Sequence, residues 1–240
     1  MKFSILIPAH NEELLIGKCF QSVEDAKRQI SHPVEIIVCL NRCTDRTEEI
    51  CKEFGALVVH EDDKNLSKIR NCAAKSATGD VIVTIDADSQ MSVNTLKEIE
   101  TKLLSGKYIG GGTRIKPERV SLGIIMSSLV ILPHALLQGV GSAGLFWCYR
   151  KDFQAIGGFN ESLLTVEDLD FAKRLKQFGK TKGQRYGTLW GSFIITSCRK
   201  FDRFGDWYFF KNPAVVKALF RGTSRELADR FYYEFKRHHQ

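Results

Sequence analysis

Two aspartates one residue apart, Asp86 and Asp88, follow the apolar run Val81-Ile82-Val83-Thr84-Ile85. On an extended chain residues i and i+2 point to the same side, so the two carboxylates converge where the chain leaves a strand. Hard divalent cations want oxygen ligands, and Mg²⁺ typically takes one or two carboxylates together with substrate phosphates. The structural alternative is an Asp-Ala-Asp-Ser turn that caps the next helix through Ser89 or Ser92. A second acidic cluster follows Gly157-Gly158-Phe159-Asn160-Glu161 and reads Glu167-Asp168-Leu169-Asp170. Thr165-Val166-Glu167-Asp168 fits a capping box, and acids favour helix N-termini. Three carboxylates within four residues nevertheless exceed what a cap requires, which leaves room for a catalytic one.

Two further polar segments close strand-like runs: Pro8-Ala9-His10-Asn11-Glu12 after the first, and Asn41-Arg42-Cys43-Thr44-Asp45-Arg46-Thr47 after the second. Asp45 reads as a helix N-cap with Glu48 three residues on. Neither segment carries the G-x-G-x-x-G of a dinucleotide site or a P-loop, and no nucleophile elbow of the α/β-hydrolase type occurs. Cys39, Cys43, Cys51 and His60 lack the paired spacing of a zinc site. Ser197-Cys198-Arg199-Lys200 reads either as a basic clamp for a diphosphate or as a solvated strand end.

The elements that must position these groups alternate in type. Apolar runs at Phe3–Ile7, Val34–Leu40, Ala56–Val59 and Val81–Ile85 are separated by helical periodicity over 16–30, 45–54 and 68–77. Continuous apolar strands between helices predict a parallel sheet covered on both faces, and such sheets bind ligands at the carboxyl ends of their strands. The rhythm changes after Gly106. Gly110-Gly111-Gly112 in the 108–114 run predicts a close backbone approach or a sharp bend. Residues 120–149 contain no Asp, Glu, Lys or Arg, but Ser127, Ser128, Pro133, His134, Gln138, Gly139 and Gly141 interrupt them. With no run of about 20 apolar residues, a buried or interfacial helix over 121–137 and a strand near 145–149 are expected rather than a membrane span. A charged amphipathic helix over 166–178 and a strand over 192–196 follow.

The chain of 240 residues is 43% hydrophobic and 26% charged, which excludes a disordered chain and a polytopic membrane protein. Its net charge of +7 is unevenly spread: residues 1–100 carry 12 Lys/Arg against 17 Asp/Glu, whereas the stretch from Lys173 onward carries 16 against 5. A basic segment attracts an anionic partner, and nucleic acid, lipid headgroups and nucleotide phosphates all qualify. Met1-Lys2 leads directly into a strand and the seven cysteines form no framework, so reduced thiols in a cytoplasmic setting are expected. The stretch 201–240 interleaves Trp207, Tyr208, Phe209, Phe210, Phe231, Tyr232, Tyr233 and Phe235 with Lys211, Lys217, Arg221, Arg225, Arg230, Lys236 and Arg237. Leu219, Leu227 and Phe231 recur at a spacing that suits docking onto the rest of the protein. A peripheral membrane contact, placing the protein at the inner face of a membrane, is the other reading.

Five of these motifs together resemble family 2 glycosyltransferases, in order, across residues 4–179. Ser4 to Glu13 looks like their opening strand, Asn41 to Thr47 their second-strand turn, and Ile69-Arg70-Asn71-Cys72-Ala73 their A-R-N-x-A helix. Asp86-Ala87-Asp88 is similar to their metal motif, and Gly157-Gly158-Phe159 with Glu167-Asp168 to the segment bearing their catalytic base. The resemblance implies an α/β GT-A fold, Rossmann-like with a mostly parallel sheet, over 1–200 (a nucleotide-binding half 1–105 and an acceptor half 106–200), and a helical tail over 201–240. It implies inverting transfer of a sugar from a nucleotide-diphosphate donor to an acceptor, small or lipid-linked, with Mn²⁺ or Mg²⁺.

By the same resemblance Pro8, Ala9, Asn11 and Glu12 line the nucleoside pocket, Arg70 lies near the base or phosphates, Asp86 holds the ribose, Asp88 binds the metal and Asp168 is the general base. Where many members carry an acidic pair that reads uracil, this chain has Leu40-Asn41, and an amide also hydrogen-bonds a base edge. The Gln-x-x-Arg-Trp motif of processive members is absent. On this reading the basic stretch is a rim near a diphosphate rather than a nucleic-acid surface. A non-catalytic nucleotide-sugar-binding or scaffold protein on the same fold is the alternative.

Overall fold

The structure, a computed structural model, describes residues 1–137 and 144–233. The first half runs β1 (Phe3–Ala9), α1 (Ile16–Lys27), β2 (Val34–Leu40), α2 (Thr47–Glu53), β3 (Leu57–His60), α3 (Leu66–Lys75) and β4 (Val81–Thr84). Next come β5 (Ser89–Met91), α4 (Thr95–Leu104), β6 (Tyr108–Pro117), α5 (Leu122–Leu137), β7 (Phe146–Tyr149), α6 (Arg150–Ala155), α7 (Glu167–Thr181) and β8 (Arg185–Thr196). The tail holds short helices, α8 (Arg199–Phe204), α9 (Tyr208–Lys211), α10 (Pro213–Leu219) and α11 (Arg225–Ala228), and ends in a π-helical turn over Asp229–Tyr233. Of the residues named above, Gln138, Gly139, Gly141, Phe235, Lys236 and Arg237 lie outside the described residues.

The eight strands form one sheet in the order β3-β2-β1-β4-β7-β6-β8-β5. β1 is buried at all seven positions, as an apolar strand covered on both faces must be. Ile5 pairs with Ile36 on one side and Val83 on the other. One face packs against α1 and α4 through Phe20, Val23, Leu96 and Ile99. The other packs against α3 and α7 through Ile69, Ala73, Phe171 and Leu175. The expected parallel pattern holds for β3, β2, β1 and β4 and for β6 with β8, but β7 runs antiparallel to both of its neighbours. The cause is where the chain re-enters: Phe146, which opens β7, pairs with Thr84 at the carboxyl end of β4, so β7 descends beside it.

The glycine run does mark a close approach. A Cβ on Gly111 would lie 1.8 Å from the Gly187 carbonyl oxygen of β8 and 2.7 Å from the Trp147 ring, so only glycine lets these strands pair beside a buried tryptophan. Two capping expectations fail. Ser89 sits in β5 and α4 begins after Asn94, with no side chain bonded to its first amides. At α7 the residue before the helix is Val166, in a left-handed conformation, while the Thr165 hydroxyl donates to the Leu219 carbonyl at 2.6 Å. A long-range partner has taken the group that would have closed the box. Asp45 accepts from the amide and hydroxyl of Thr47, but Glu48 pairs with Lys52 instead of completing a box.

The tail docks on α5. Phe209, Val216 and Phe231 are buried there with Val130, Ile131, Leu219 and Leu227 around them, as the spacing of Leu219, Leu227 and Phe231 predicts. No helix among the described residues is long and apolar enough to cross a membrane.

Glu35 fastens the amino ends of β1, β2 and β4. Its carboxylate pairs with Lys2 at 2.5 Å and accepts from the Ser4 hydroxyl and from Thr78. Gly79, on which a Cβ would meet Ser4 Oγ at 2.5 Å, brings its amide to the same oxygens. Burial opposes the charge on Glu35, but these donors outweigh it and bring its pKa from 4.5 to about 2. The depressed value stabilises the fold above about pH 4.5, and this contribution fades as pH falls toward 2. Glu35→Gln is expected to cost about 1–3 kcal/mol in urea denaturation at neutral pH, with a smaller penalty near pH 3. An equal penalty at both pH values would show that the charge is not what holds this corner.

Candidate active site

A cleft of about 290 Å³ opens at the carboxyl ends of β1 and β4, where a sheet of this kind is expected to receive ligands. Its floor is Pro8 to Glu12 and Asp86 to Asp88. One wall is Thr196, Ser197, Arg199 and Lys200, and Phe231, Tyr232 and Tyr233 cover it from the tail.

The floor is rigidified by ties between the loops after β1 and β2. Asn11 adopts a left-handed conformation, φ 52°, which asparagine tolerates better than most residues. Its side-chain oxygen accepts from the Thr44 amide at 2.7 Å. The Glu12 amide donates to the Thr47 hydroxyl at 2.6 Å, and the Glu13 amide to Asp45. Asn41 is fully buried and does not line the cleft; its amide donates to the carbonyls of Glu61 and Asp63, anchoring the segment after β3.

Two arginines organise the acids. Arg199, at the start of α8, donates to both oxygens of Glu12 at 3.0 Å and to Asp88 at 2.6 Å. Asp88 also accepts from the Ser197 hydroxyl at 2.8 Å. Burial favours the neutral acid, but Arg199, Ser197 and the nearby charge of Lys200 outweigh it and hold Asp88 below the usual carboxylate range. Lys200 is shifted the other way, because burial disfavours its ammonium more than the neighbouring acids support it. Its amine lies 4.4 Å from the centre of the Tyr232 ring.

Arg70, on α3, is 5% exposed and does not line the cleft. Its guanidinium donates to Asp86 at 2.8 Å and to Glu167 at 2.6 Å and lies 5.2 Å from the centre of the Phe159 ring. Desolvation works against its charge, and Asp86 and Glu167 more than restore it. Glu167, itself 3% exposed, therefore serves as a buried partner of Arg70 and not merely as an acid at the helix N-terminus. Asp168 is half-buried; one of its oxygens accepts from the Leu169 amide at 2.8 Å. Burial pushes its carboxyl up, against the attraction of Arg70.

Of the nine residues singled out from sequence, Pro8, Ala9, Asn11, Glu12, Asp86 and Asp88 line the cleft, and Asn41, Arg70 and Asp168 stand behind or beside it. Two features escaped the sequence reading. The pairing of Glu12 with Arg199 spans 187 residues, and no local pattern encodes it. The cover formed by Phe231, Tyr232 and Tyr233 was visible only as an aromatic run. Tyr233 contacts His10 with ring centres 6.0 Å apart, and the Arg42 guanidinium lies 5.6 Å from its ring.

This arrangement offers acidic oxygens for a cation, basic groups for phosphate and aromatic faces for a planar ring, within one cleft. Known proteins resemble this chain in sequence and in fold. The chain is 28% identical over 149 residues to the dolichol-phosphate mannosyltransferase of Pyrococcus furiosus, covering 55% of this chain and 42% of that protein. Its fold resembles S. aureus TarS 1–349 in complex with UDP-GlcNAc, with a TM-score of 0.63, 18% identity, and coverage of 82% of this chain and 58% of that one. It also resembles the mannosyltransferase PcManGT from Pyrobaculum calidifontis in complex with GDP-Man and Mn²⁺, with a TM-score of 0.60, 18% identity and coverage of 80% and 56%. The chain thus spans less than two thirds of each of these relatives. The sequence profile of Glycosyl transferase family 2 matches residues 4–146, which hold β1 through β6, both aspartates of the floor and Arg70. On that match the chain belongs to glycosyl transferase family 2.

Proposed function

We propose that the protein is an inverting, metal-dependent glycosyltransferase that moves a sugar from a nucleotide-diphosphate donor to an acceptor hydroxyl. The observation that carries this reading is the meeting of Asp86 and Asp88 with Arg199 and Lys200 in one cleft at the strand ends. Residues 1–105 would bind the nucleotide and residues 106–200 the acceptor. Pro8, Ala9, Asn11 and Glu12 would bound the nucleoside, with Tyr232 and Tyr233 able to face its base; Asp86 would reach the ribose. Arg70 and Asn41 act at one remove, by fixing Asp86 and the loop after β2.

The residues present fit a Mn²⁺ or Mg²⁺ ion. Asp88 already attracts one cation, the Arg199 guanidinium, and carboxylate oxygens suit a hard ion. Among the described residues no three or more His, Cys, Asp or Glu come together as a metal site, so donor phosphates would have to supply the ion's remaining ligands. Asp88, beside Asp86, would hold the ion, and when bound it would neutralise charge on the leaving diphosphate. Arg199 would turn from the acids to the phosphates as the donor enters. Asp168 would take the proton from the acceptor hydroxyl; a carboxyl raised by burial is a better proton acceptor than an ordinary one. Inversion requires only this one base, on the face of the anomeric carbon opposite the leaving group.

Thermal-shift screening of UDP-, GDP- and dTDP-sugars with Mn²⁺ tests the donor class, because a ligand that binds only the folded state raises its stability. Asp168→Asn is expected to keep the donor-induced shift and to lower transfer by at least about a hundredfold. Unchanged turnover would place the base elsewhere, and donor binding without turnover in the parent protein, with acceptors supplied, would make it a binding protein. Arg199→Ala is expected to strengthen Mn²⁺ binding to the donor-free protein several-fold, read from the electron paramagnetic resonance of free Mn²⁺. Unaltered affinity would show that the guanidinium does not compete for Asp88.

A further inference from the structure

The last described stretch of the chain crosses the mouth of the cleft. Its firm tie comes first: the Gly222 carbonyl accepts from the amides of Leu164 and Thr165 at 2.8 and 3.3 Å, just ahead of the helix that bears Asp168. Gly222 is left-handed, φ 80°, and a Cβ there would lie 2.9 Å from the Leu163 side chain, so the chain turns at a glycine held against the rest of the protein. From that turn α11 reaches the segment before α3, where the Arg225 guanidinium donates to the Lys64 carbonyl. Tyr232 then lies against Lys200, just past β8, and Tyr233 meets His10 and Arg42 in the loops after β1 and β2.

Past Gly222 the attachments weaken. Among the described residues no backbone–backbone hydrogen bond joins 223–233 to the rest of the protein. Asp229 lies 3.9 Å from Lys64 and 4.0 Å from Arg225, and its Oδ1 is buried without a hydrogen-bond partner among the described residues. The framework pairs of the cleft, Arg70 with Asp86 and Arg199 with Asp88, close at 2.8 and 2.6 Å. A buried acceptor left unsatisfied costs stability, and ion pairs of exposed side chains return little. The latch formed by Arg225, Lys64 and Asp229 therefore yields before either framework pair. The apolar hold on the stretch is Phe231, 2% exposed against Phe204 and Phe209.

This cover also fills part of the place it closes. With Tyr232 and Tyr233 in position the cleft holds about 290 Å³, at the lower edge of the roughly 300–1,000 Å³ of small-molecule pockets. A nucleotide-diphosphate sugar brings a base, a ribose, two phosphates and a second sugar. Tyr232 sits among the reacting groups: burial, with the charges of Glu167 and Asp168 nearby, keeps its phenol protonated well above the usual range. We propose that residues 223–233 are a gate, shut in the free protein, that swings aside about Gly222 when a donor enters or leaves and shuts again with the two tyrosines over it. The proposal rests on reading the cleft as a donor site. An open state populated at roughly 0.1–10% suffices for exchange, and the gate then limits both entry and exit.

Surface plasmon resonance of UDP and GDP with Mn²⁺ on the immobilised full chain reads the gate. Arg225 does not line the cleft, and its latch is made whether the shut gate covers a ligand or not. Arg225→Ala is therefore expected to raise the association and dissociation rate constants together, each at least about threefold, with Kd held within about twofold. A lost contact to the ligand would instead raise dissociation alone. Lys64→Ala, which leaves the Lys64 carbonyl in place, is expected to act in the same direction and less strongly. Unchanged rates in Arg225→Ala, or faster dissociation alone, overturn the proposal. Hydrogen exchange of the ligand-free chain decides it even if neither nucleotide binds, a result that would defeat the donor reading and not the gate. Arg225→Ala is expected to speed exchange over 223–233 at least about fivefold while α10 keeps its parent rate. Exchange unaltered over 223–233, or raised equally over α10, overturns the gate.

Discussion

The Arg70 guanidinium joins α3, the end of β4 and the first turn of α7 through two carboxylates, at sequence distances of 16 and 97 residues. A buried cation is tolerated only when its partners are in place, so the geometry of Asp86 and of the helix that carries Asp168 is set by this one side chain. Its Nε has no hydrogen-bond partner among the described residues, and its flat face rests on Phe159. The Gly157-Gly158-Phe159 turn is therefore part of the same device: Asn71, the next residue on α3, bonds both the amide and the carbonyl of Phe159. Replacing Arg70 by lysine would keep the charge but lose the fork that reaches two acids at once.

Arg199 repeats the pattern at the open side of the cleft, with Glu12 and Asp88 as its two acids. The difference between the two is exposure: the Arg70 side chain is 7% accessible and Arg199 33%. The inner bridge therefore serves as framework, whereas the outer one is reachable by a ligand. A site built of four acids would repel itself; two arginines divide them into pairs, so the cleft keeps acidic oxygens without a large uncompensated field.

Much of this was legible in the sequence because it is local. The strands at 3–9, 34–40 and 81–84 are apolar runs ended by polar turns, and the same-side placement of Asp86 and Asp88 follows from strand geometry. The glycines at 110–112 announced a close approach, though not its partner, β8. What local pattern could not supply are contacts made across the fold. Thr165 looked like a cap until Leu219 took its hydroxyl. Glu167 looked like a helix-end acid until Arg70 claimed it. β5 was missed because three residues paired to β8 leave no periodic trace.

The separation of 111 residues between Asp88 and Arg199 bears on how the protein is made. At roughly 5–20 residues per second, a ribosome takes about 6–20 seconds to go from one to the other. Throughout that interval the emerging chain carries Glu12 and Asp88 without their arginine, within a first hundred residues that are net acidic. The strands can already pair, but the two acids that Arg199 later joins repel one another across the loops that bear them. A late-synthesised cation thus closes what an early-synthesised sheet leaves ajar, and the cleft reaches its final shape only after translation has passed β8.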